Sequence, residues 1–242
     1  MKFSDGLWLN QRGYEVSYAT QAYEVTTTRN SIHVFATANA IWNRAMTLGG
    51  VTFEIIYTAV APDVIRVQIA HHRGGLKNKP QFDLNLPEGY VPDDIHEEDG
   101  FVSMTAGSTT VKIKKGTDGW DVSYLRNGKR ITGGWRSTSY IQENKFHRDA
   151  RLSVQTDDEF FNFPQDSRSA YVREQLTLDV GECVYGFGEK FTPFVKNGQT
   201  VETWNSDGGT CSDQSYKCIP FYLTSNKYGI LVNTADKVSF EV

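Results

Sequence analysis

A glycine-rich stretch late in the chain brings three residues with complementary chemistry close together. Trp204, Asn205 and Asp207 lie within four consecutive positions and precede the glycine pair 208–209. A carboxylate and a carboxamide can each bond neighbouring hydroxyl groups, while an aromatic ring supplies an apolar wall. This combination is typical of a polyol-binding site. Because Asn and Asp are also common turn formers, the spacing alone leaves an ordinary turn as the alternative.

Metal-binding and cofactor-binding motifs elsewhere in the chain are incomplete. His71 and His72 are neighbours on a predicted strand, so their side chains point to opposite faces and do not converge on one ion. Cys211 and Cys218 lack the short spacing and the histidine partners of a zinc site. Residues 186–188 begin like a dinucleotide-binding loop, but the third glycine of that motif is missing. We therefore expect no metal ion and no cofactor.

Catalytic constellations are also missing. The acidic pairs at 97–98 and 157–158 are adjacent in sequence and are interpreted as solvated loops. Neither a nucleophile elbow nor a phosphate-binding Walker sequence is present. An aldose epimerase would need a positioned His and Glu, whereas the histidines are scattered along the chain: His33, His71, His72, His96 and His147. We assign no catalytic residue.

The composition bounds the class of protein. The chain has 242 residues with a net charge of −4, so it has no basic footprint for nucleic acid or an anionic membrane. It contains neither the apolar run of a signal peptide nor a stretch that could span a bilayer. Three cysteines do not make a disulfide framework, and no Asn-x-Ser/Thr sequon occurs. These features favour a cytoplasmic protein.

Most of the chain alternates apolar and polar residues with a period of two, which is typical of half-buried strands. The clearest runs hold Val51, Phe53, Ile55 and Tyr57, then Ile65, Val67 and Ile69, then Val111 and Ile113, then Trp120, Val122 and Tyr124. Asn127-Gly128 predicts a tight hairpin. Residues 38–48 form at most one short helix. We predict an all-β sandwich or barrel.

Two segments depart from this pattern. Residues 143–169 are rich in Asp, Arg, Asn and Gln, which predicts a long loop. At the other extreme, residues 238–242 alternate as a strand up to the last residue. Because an unpaired strand would expose its edge, we expect this terminal strand to lack its partner and the domain to be truncated at its C-terminal end.

The motifs of the chain resemble the N-terminal region of glycoside hydrolase family 31. Residues 185–191 read Tyr-Gly-x-Gly-Glu-x-Phe, and an Asn-x-Asp element follows at 205–207. Residues 3–9 and 125–133 are similar to stretches of the bacterial α-xylosidase branch, and residues 197–205 are more similar still. The resemblance spans nearly the whole chain; the main departure is the long 143–169 segment.

The resemblance implies a fold and an activity. Residues 1–242 would form a galactose-mutarotase-like β-sandwich, which this family follows with a (β/α)₈ barrel. The barrel supplies two carboxylates for retaining hydrolysis, about 5–5.5 Å apart. Neither barrel motif occurs in these residues, so we expect the fragment alone to be inactive. The parent enzyme would remove terminal α-linked xylosyl residues, with an α-glucosidase left open.

Site residues carry over from the family position by position. Asp207 occupies the position at which the family has an aspartate that contacts the sugar. It would accept hydrogen bonds from the sugar and would act neither as a nucleophile nor as a proton donor. Asn205 would share this role, and Trp204 would either wall the pocket or pack under the loop. Glu189 and Lys190 are expected to make structural pairs instead of binding sugar.

Alternatives remain open at this stage. The expected partners are a carbohydrate and the chain's own downstream barrel. A free-standing carbohydrate-binding module of the same fold is the second hypothesis, and an epimerase-like enzyme is the third. Trp8, between two leucines, either packs in the core or forms an oligomer contact or a neighbouring subunit's sugar site.

Overall fold

The computed structural model consists of two compact units. It describes residues 3–4, 9–72, 82–116, 119–143, 169–204 and 215–242. The large unit comprises residues 12–74 and 86–177, and the small unit comprises residues 1–11, 75–85 and 178–242. None of the helices in these described ranges has the length and apolar character needed to cross a bilayer.

The large unit contains twelve described strands and one short 3-10 helix, Arg44–Leu48. The strands are β1 Tyr14–Tyr18, β2 Gln21–Thr27, β3 Ser31–Thr37, β4 Thr52–Ala61, β5 Val64–Ala70, β6 Asp94–Glu98, β7 Phe101–Ala106, β8 Thr109–Lys114, β9 Val122–Arg126, β10 Lys129–Gly134, β11 Thr138–Glu143 and β12 Ala170–Glu174. They form antiparallel sheets in the orders β2-β3-β4-β5, β10-β9-β8-β7-β6 and β1-β11-β12.

The core of the large unit lies between the four-stranded and five-stranded sheets. Strand β4 alternates Phe53, Ile55 and Tyr57 inward, each at most 1% exposed. They belong to one cluster with buried residues of the opposite sheet, Val102, Met104, Ala106, Val111, Ile113 and Val122. Burying one side of each alternating strand removes apolar surface from water. The predicted all-β fold is confirmed.

Local predictions in this unit hold with one correction. The Asn127-Gly128 pair has φ angles of 49° and 77° and joins β9 to β10, as expected for a tight hairpin. The helix predicted within 38–48 is the 3-10 turn, capped by Asn43, whose Oδ1 accepts from the Ala45 amide at 3.0 Å. Trp120, however, precedes β9, and its buried indole donates to Ser137 Oγ at 3.0 Å.

The small unit is built from β13 Val184–Lys190, β14 Thr200–Thr203, β15 Ser215–Thr224, β16 Gly229–Leu231 and β17 Val238–Glu241. β15 lies between β13 and β16, and β14 pairs with β17. All these pairs are antiparallel. Three buried residues, Val184, Phe187 and Val201, form its core cluster, against which Tyr222, Phe240 and Val242 pack.

The expectation that the terminal strand lacks a partner is wrong. β17 pairs with β14 from Thr200↔Glu241 to Thr203↔Val238. The ladder extends further, because the Val242 amide donates to the Gln199 carbonyl at 3.0 Å. The sequence pattern located the strand but could not identify a partner that lies far away along the chain.

The 143–169 segment falls almost wholly outside the described residues. Its two ends are described and adjoin, since the Glu143 amide donates to the Ser169 carbonyl at 2.9 Å. This bond extends the β11–β12 ladder beyond Gln142↔Ala170. The prediction of a long loop between these ends remains a prediction.

Candidate carbohydrate-binding site

The Tyr-Gly-x-Gly-Glu-x-Phe motif lies in β13 up to Lys190 and approaches β15 closely. Gly186 and Gly188 have φ angles of 123° and 88°, and the register shifts between them. A Cβ at Gly186 would lie 2.7 Å from the Phe221 carbonyl oxygen, and one at Gly188 would overlap the Lys217 carbonyl oxygen. Only glycine fits both the left-handed backbone and this approach. The two glycines therefore fix how β13 docks on β15.

Between the two glycines, Phe187 anchors the small unit. Its side chain is fully buried, with its ring centroid 4.6 Å from that of Phe240 and 5.6 Å from that of Tyr222. These rings come from β13, β17 and β15, so one residue joins both sheets of the small unit. Tilted aromatic packing at these separations adds to the burial of apolar area.

The Lys190 ammonium connects three strands at the end of β13. Its Nζ donates to the Glu202 carbonyl oxygen at 2.6 Å and to Cys218 Sγ at 3.0 Å. Glu202 belongs to β14 and Cys218 to β15. The adjacent Glu189 forms an exposed ion pair with Lys217 at 3.6 Å. Both predicted structural residues thus make structural contacts, each with a partner of its own.

The loop between β13 and β14 is fixed by a buried lysine. Lys196 is 4% exposed, and its Nζ donates to Thr192 Oγ1 at 2.8 Å and to the Pro193 carbonyl at 2.7 Å. Burial lowers the pKa of Lys196, and the positive charge of Lys190 lowers it further. Burying an ammonium group without hydrogen-bond partners costs free energy, so the bonds from Lys196 hold the loop in this conformation.

Of the three predicted sugar-binding residues, the structure describes only Trp204. It follows β14 directly, and 52% of its surface is exposed. Its predicted role, as a wall of the pocket or as packing under the loop, remains a prediction. Asn205 and Asp207 lie outside the described residues, as does Trp8, so their predicted roles remain predictions.

Two further exposed aromatic residues lie at the end of β13 and the start of β15, and they were not singled out as binding residues from the sequence. Phe191 follows Lys190 and is 47% exposed, while Tyr216, at the start of β15, is 68% exposed. Their rings meet edge to face, with centroids 5.3 Å apart. Phe191 is the last residue of the recognisable motif. The sequence alone does not show whether a Phe or Tyr ring is exposed or buried, because aromatic residues are common in both places. We call these two residues and Trp204, which are exposed next to the ends of β13, β15 and β14, the aromatic rim.

Within the described ranges, no three His, Cys, Asp or Glu side chains are grouped to hold an ion. The contacts of Lys190 and Lys196 instead position backbone. The arrangement can present aromatic surface and polar groups to a ligand held near the ends of β14 and β15.

Comparison with known proteins identifies the family. Residues 54–241 match the glycosyl hydrolase 31 N-terminal galactose mutarotase-like domain. The chain belongs to this family. Its galactose mutarotase-like fold is thereby confirmed, together with the resemblance stated from the motifs.

Relatives of this glycosyl hydrolase 31 domain include two α-xylosidases. The chain is 34% identical to α-xylosidase XylQ of Lactiplantibacillus pentosus and 33% identical to an α-xylosidase of Emericella nidulans. Both matches cover the whole chain but only 29% and 30% of the relatives' lengths. A solved structure, the cycloalternan-forming enzyme from Listeria monocytogenes in complex with a pentasaccharide substrate, shares the fold with a TM-score of 0.65 at 16% identity. It is matched over 94% of this chain and 18% of its own.

Proposed function

We propose that the chain is the carbohydrate-contacting domain of a retaining α-glycosidase, and specifically of an α-xylosidase that hydrolyses terminal α-linked xylosyl residues. The observation that carries this proposal is the 34% identity to an α-xylosidase along the full length of the chain. Because the chain spans only 29% of that relative, the catalytic carboxylates would lie in the remainder of the enzyme. The domain by itself would be inactive.

The contribution of the domain is to hold the sugar. Asp207 would accept hydrogen bonds from substrate hydroxyl groups, with Asn205 beside it and Trp204 as an apolar wall. The segment that carries Asn205 and Asp207 connects β14 to β15, and Lys190 bonds to both strands. The exposed ring of Trp204 and the anchoring by Lys190 support this assignment. A hydrogen bond to a charged acceptor contributes about 1.5–3 kcal/mol.

The test is Asp207→Asn in the complete enzyme, assayed with aryl α-xyloside and aryl α-glucoside. Loss of the charged acceptor should lower kcat/KM roughly tens- to hundreds-fold while the midpoint of thermal unfolding stays unchanged. The matched control is Asp94→Asn, an exposed residue of β6 in the large unit. Unchanged kinetics in Asp207→Asn would show that this residue does not bind the substrate. A preference of the unmodified enzyme for the glucoside would overturn the xylosidase assignment.

A cytoplasmic location is part of the proposal. Cys183 is a thiol and not a member of a disulfide. Unpaired thiols persist where the surroundings are reducing. The enzyme would then hydrolyse its α-xyloside substrate inside the cell.

A further inference from the structure

Two arginines share one tyrosine ring on the β1-β11-β12 sheet of the large unit. The Arg173 guanidinium lies 5.5 Å from the centroid of the Tyr18 ring, and that of Arg136 lies 5.2 Å from the same centroid. Arg136 also stacks on Trp135 at 4.3 Å. We call these four residues, Tyr18, Trp135, Arg136 and Arg173, the arginine–aromatic cluster.

Arg173 is held in place by its neighbours. Its Nη2 donates to the Tyr18 hydroxyl at 3.0 Å, and its Nε donates to Ser139 Oγ at 3.1 Å. Ser139 is fully buried on the central strand β11, and Tyr18, Ser139 and Arg173 are in register across the three strands. The guanidinium is therefore positioned by a rigid sheet and not by a loop.

The charges of the cluster are not neutralised. Across the described ranges, neither Arg136 nor Arg173 has a carboxylate partner, whereas Lys112 pairs with Glu98 and Lys115 with Glu97. The chain as a whole has more acidic than basic residues, 29 against 25. Two positive charges near one ring raise the local positive potential, which a bound anion would lower.

The free donors define the chemistry of that anion. Arg173 uses its Nε and Nη2 groups within the sheet, and neither its Nη1 nor the guanidinium of Arg136 makes a hydrogen bond to a described residue. A guanidinium presents parallel N–H groups that match the two oxygens of a carboxylate or phosphate. Beside them, Trp135 is 64% exposed and offers a flat apolar surface.

We propose that the arginine–aromatic cluster binds an anionic saccharide, with its carboxylate or phosphate between Arg136 and Arg173 and its ring against Trp135. The proposal that an oxyanion binds here is based on the positions of the two arginines. The saccharide part rests on the proposed function. The shared chemistry is an oxyanion on a sugar, and a uronate and a sugar phosphate are its two sources.

The test is isothermal titration of the protein with glucuronate, glucose 6-phosphate, inorganic phosphate and neutral glucose. We expect at least one anionic sugar to bind at least about tenfold more tightly than phosphate or glucose, and to weaken as salt is raised. Which anionic sugar binds distinguishes the two sources. Equal binding of inorganic phosphate would overturn the saccharide part, and no binding of any anion would overturn the site.

Variants of the two arginines test whether the anion binds at this cluster. Arg136→Ala removes an exposed side chain and should abolish anion binding without unfolding the sheet, while Arg173→Lys keeps the charge but loses the fork and should weaken binding at least tenfold. Arg66→Ala, an exposed arginine of β5, is the matched control and should bind normally. Binding retained in Arg136→Ala would contradict the proposal. Asp207→Asn should leave this binding unchanged, so the two sites fail independently.

Discussion

The large unit and the small unit differ in where they place their apolar side chains. Sixteen buried residues form the described core cluster of the large unit, but only three form that of the small unit. Both units expose large rings, Trp42 and Trp135 in the large unit and Phe191, Phe194, Trp204 and Tyr216 in the small one, but only the large unit combines them with a large core. Hydrophobic burial therefore stabilises mainly the large unit, while the small unit exposes several rings around a small core.

The small unit compensates with fixed backbone. The close approach of β13 to β15 at Gly186 and Gly188, and the hydrogen bonds of Lys190 and Lys196, restrain the strands that lead to the aromatic rim. Regions with few buried apolar contacts open more readily than a large core. The described part of the small unit is thus held largely by polar and steric restraints, and that of the large unit by its core.

The largest expected effect is the loss of a core side chain in the large unit. Phe53→Ala removes a fully buried ring of β4 and should lower the free energy of unfolding by about 3–5 kcal/mol in urea denaturation. The control is Phe35→Ala on the neighbouring strand β3, where the ring is 37% exposed and the change should stay below about 1 kcal/mol. Equal losses would contradict the assignment of the core.

A smaller effect should come from the glycine approach in the small unit. Gly188→Ala should destabilise by at least about 2 kcal/mol, because the methyl group meets the Lys217 carbonyl in addition to the left-handed strain. Gly181→Ala is the control: its φ is 76° with nothing within 4 Å, so only the roughly 1–2 kcal/mol conformational cost applies. Hydrogen exchange of the β15 amides measures both. Indistinguishable variants would show that β15 can move away.

The smallest effect concerns pH and the large unit. Glu174 keeps exposed surface on the edge strand β12, but its Oε2 accepts from the buried Thr138 hydroxyl at 2.8 Å. Desolvation raises the pKa of Glu174 from 4.5 to about 7, an effect that hydrogen bonds from Thr138 and Ser137 partly oppose. The raised pKa means that the native state binds the proton more tightly than the unfolded state does.

This stabilising contribution is complete below about pH 4.5 and is lost as the pH rises through about 7. Glu174→Gln, which stays neutral, should therefore show a flatter dependence of unfolding free energy on pH between 5 and 8 than the unmodified protein. Glu24→Gln, an exposed residue of β2, should keep the original slope. A Glu174→Gln profile parallel to that of the unmodified protein would contradict the raised pKa.

The sequence predicted features that depend on neighbouring residues and missed those that depend on distant ones. The alternation around Phe53 and the turn at Asn127-Gly128 are local signals, and both agree with the structure. The pairing of β17 with β14 brings together residues about 40 positions apart, which no local pattern encodes. The exposure of Tyr216 and the raised pKa of Glu174 likewise depend on the folded surroundings.

The central claim is that the small unit contacts sugar through the region around Trp204. Its most direct test is to follow the indole N–H signals of the protein by NMR during titration with methyl α-xyloside. The Trp204 signal should shift in a saturable way, the signal of the buried Trp120 should not, and Asp207→Asn should abolish the shift. A Trp204 signal that stays in place, or that moves equally in Asp207→Asn, would contradict the account.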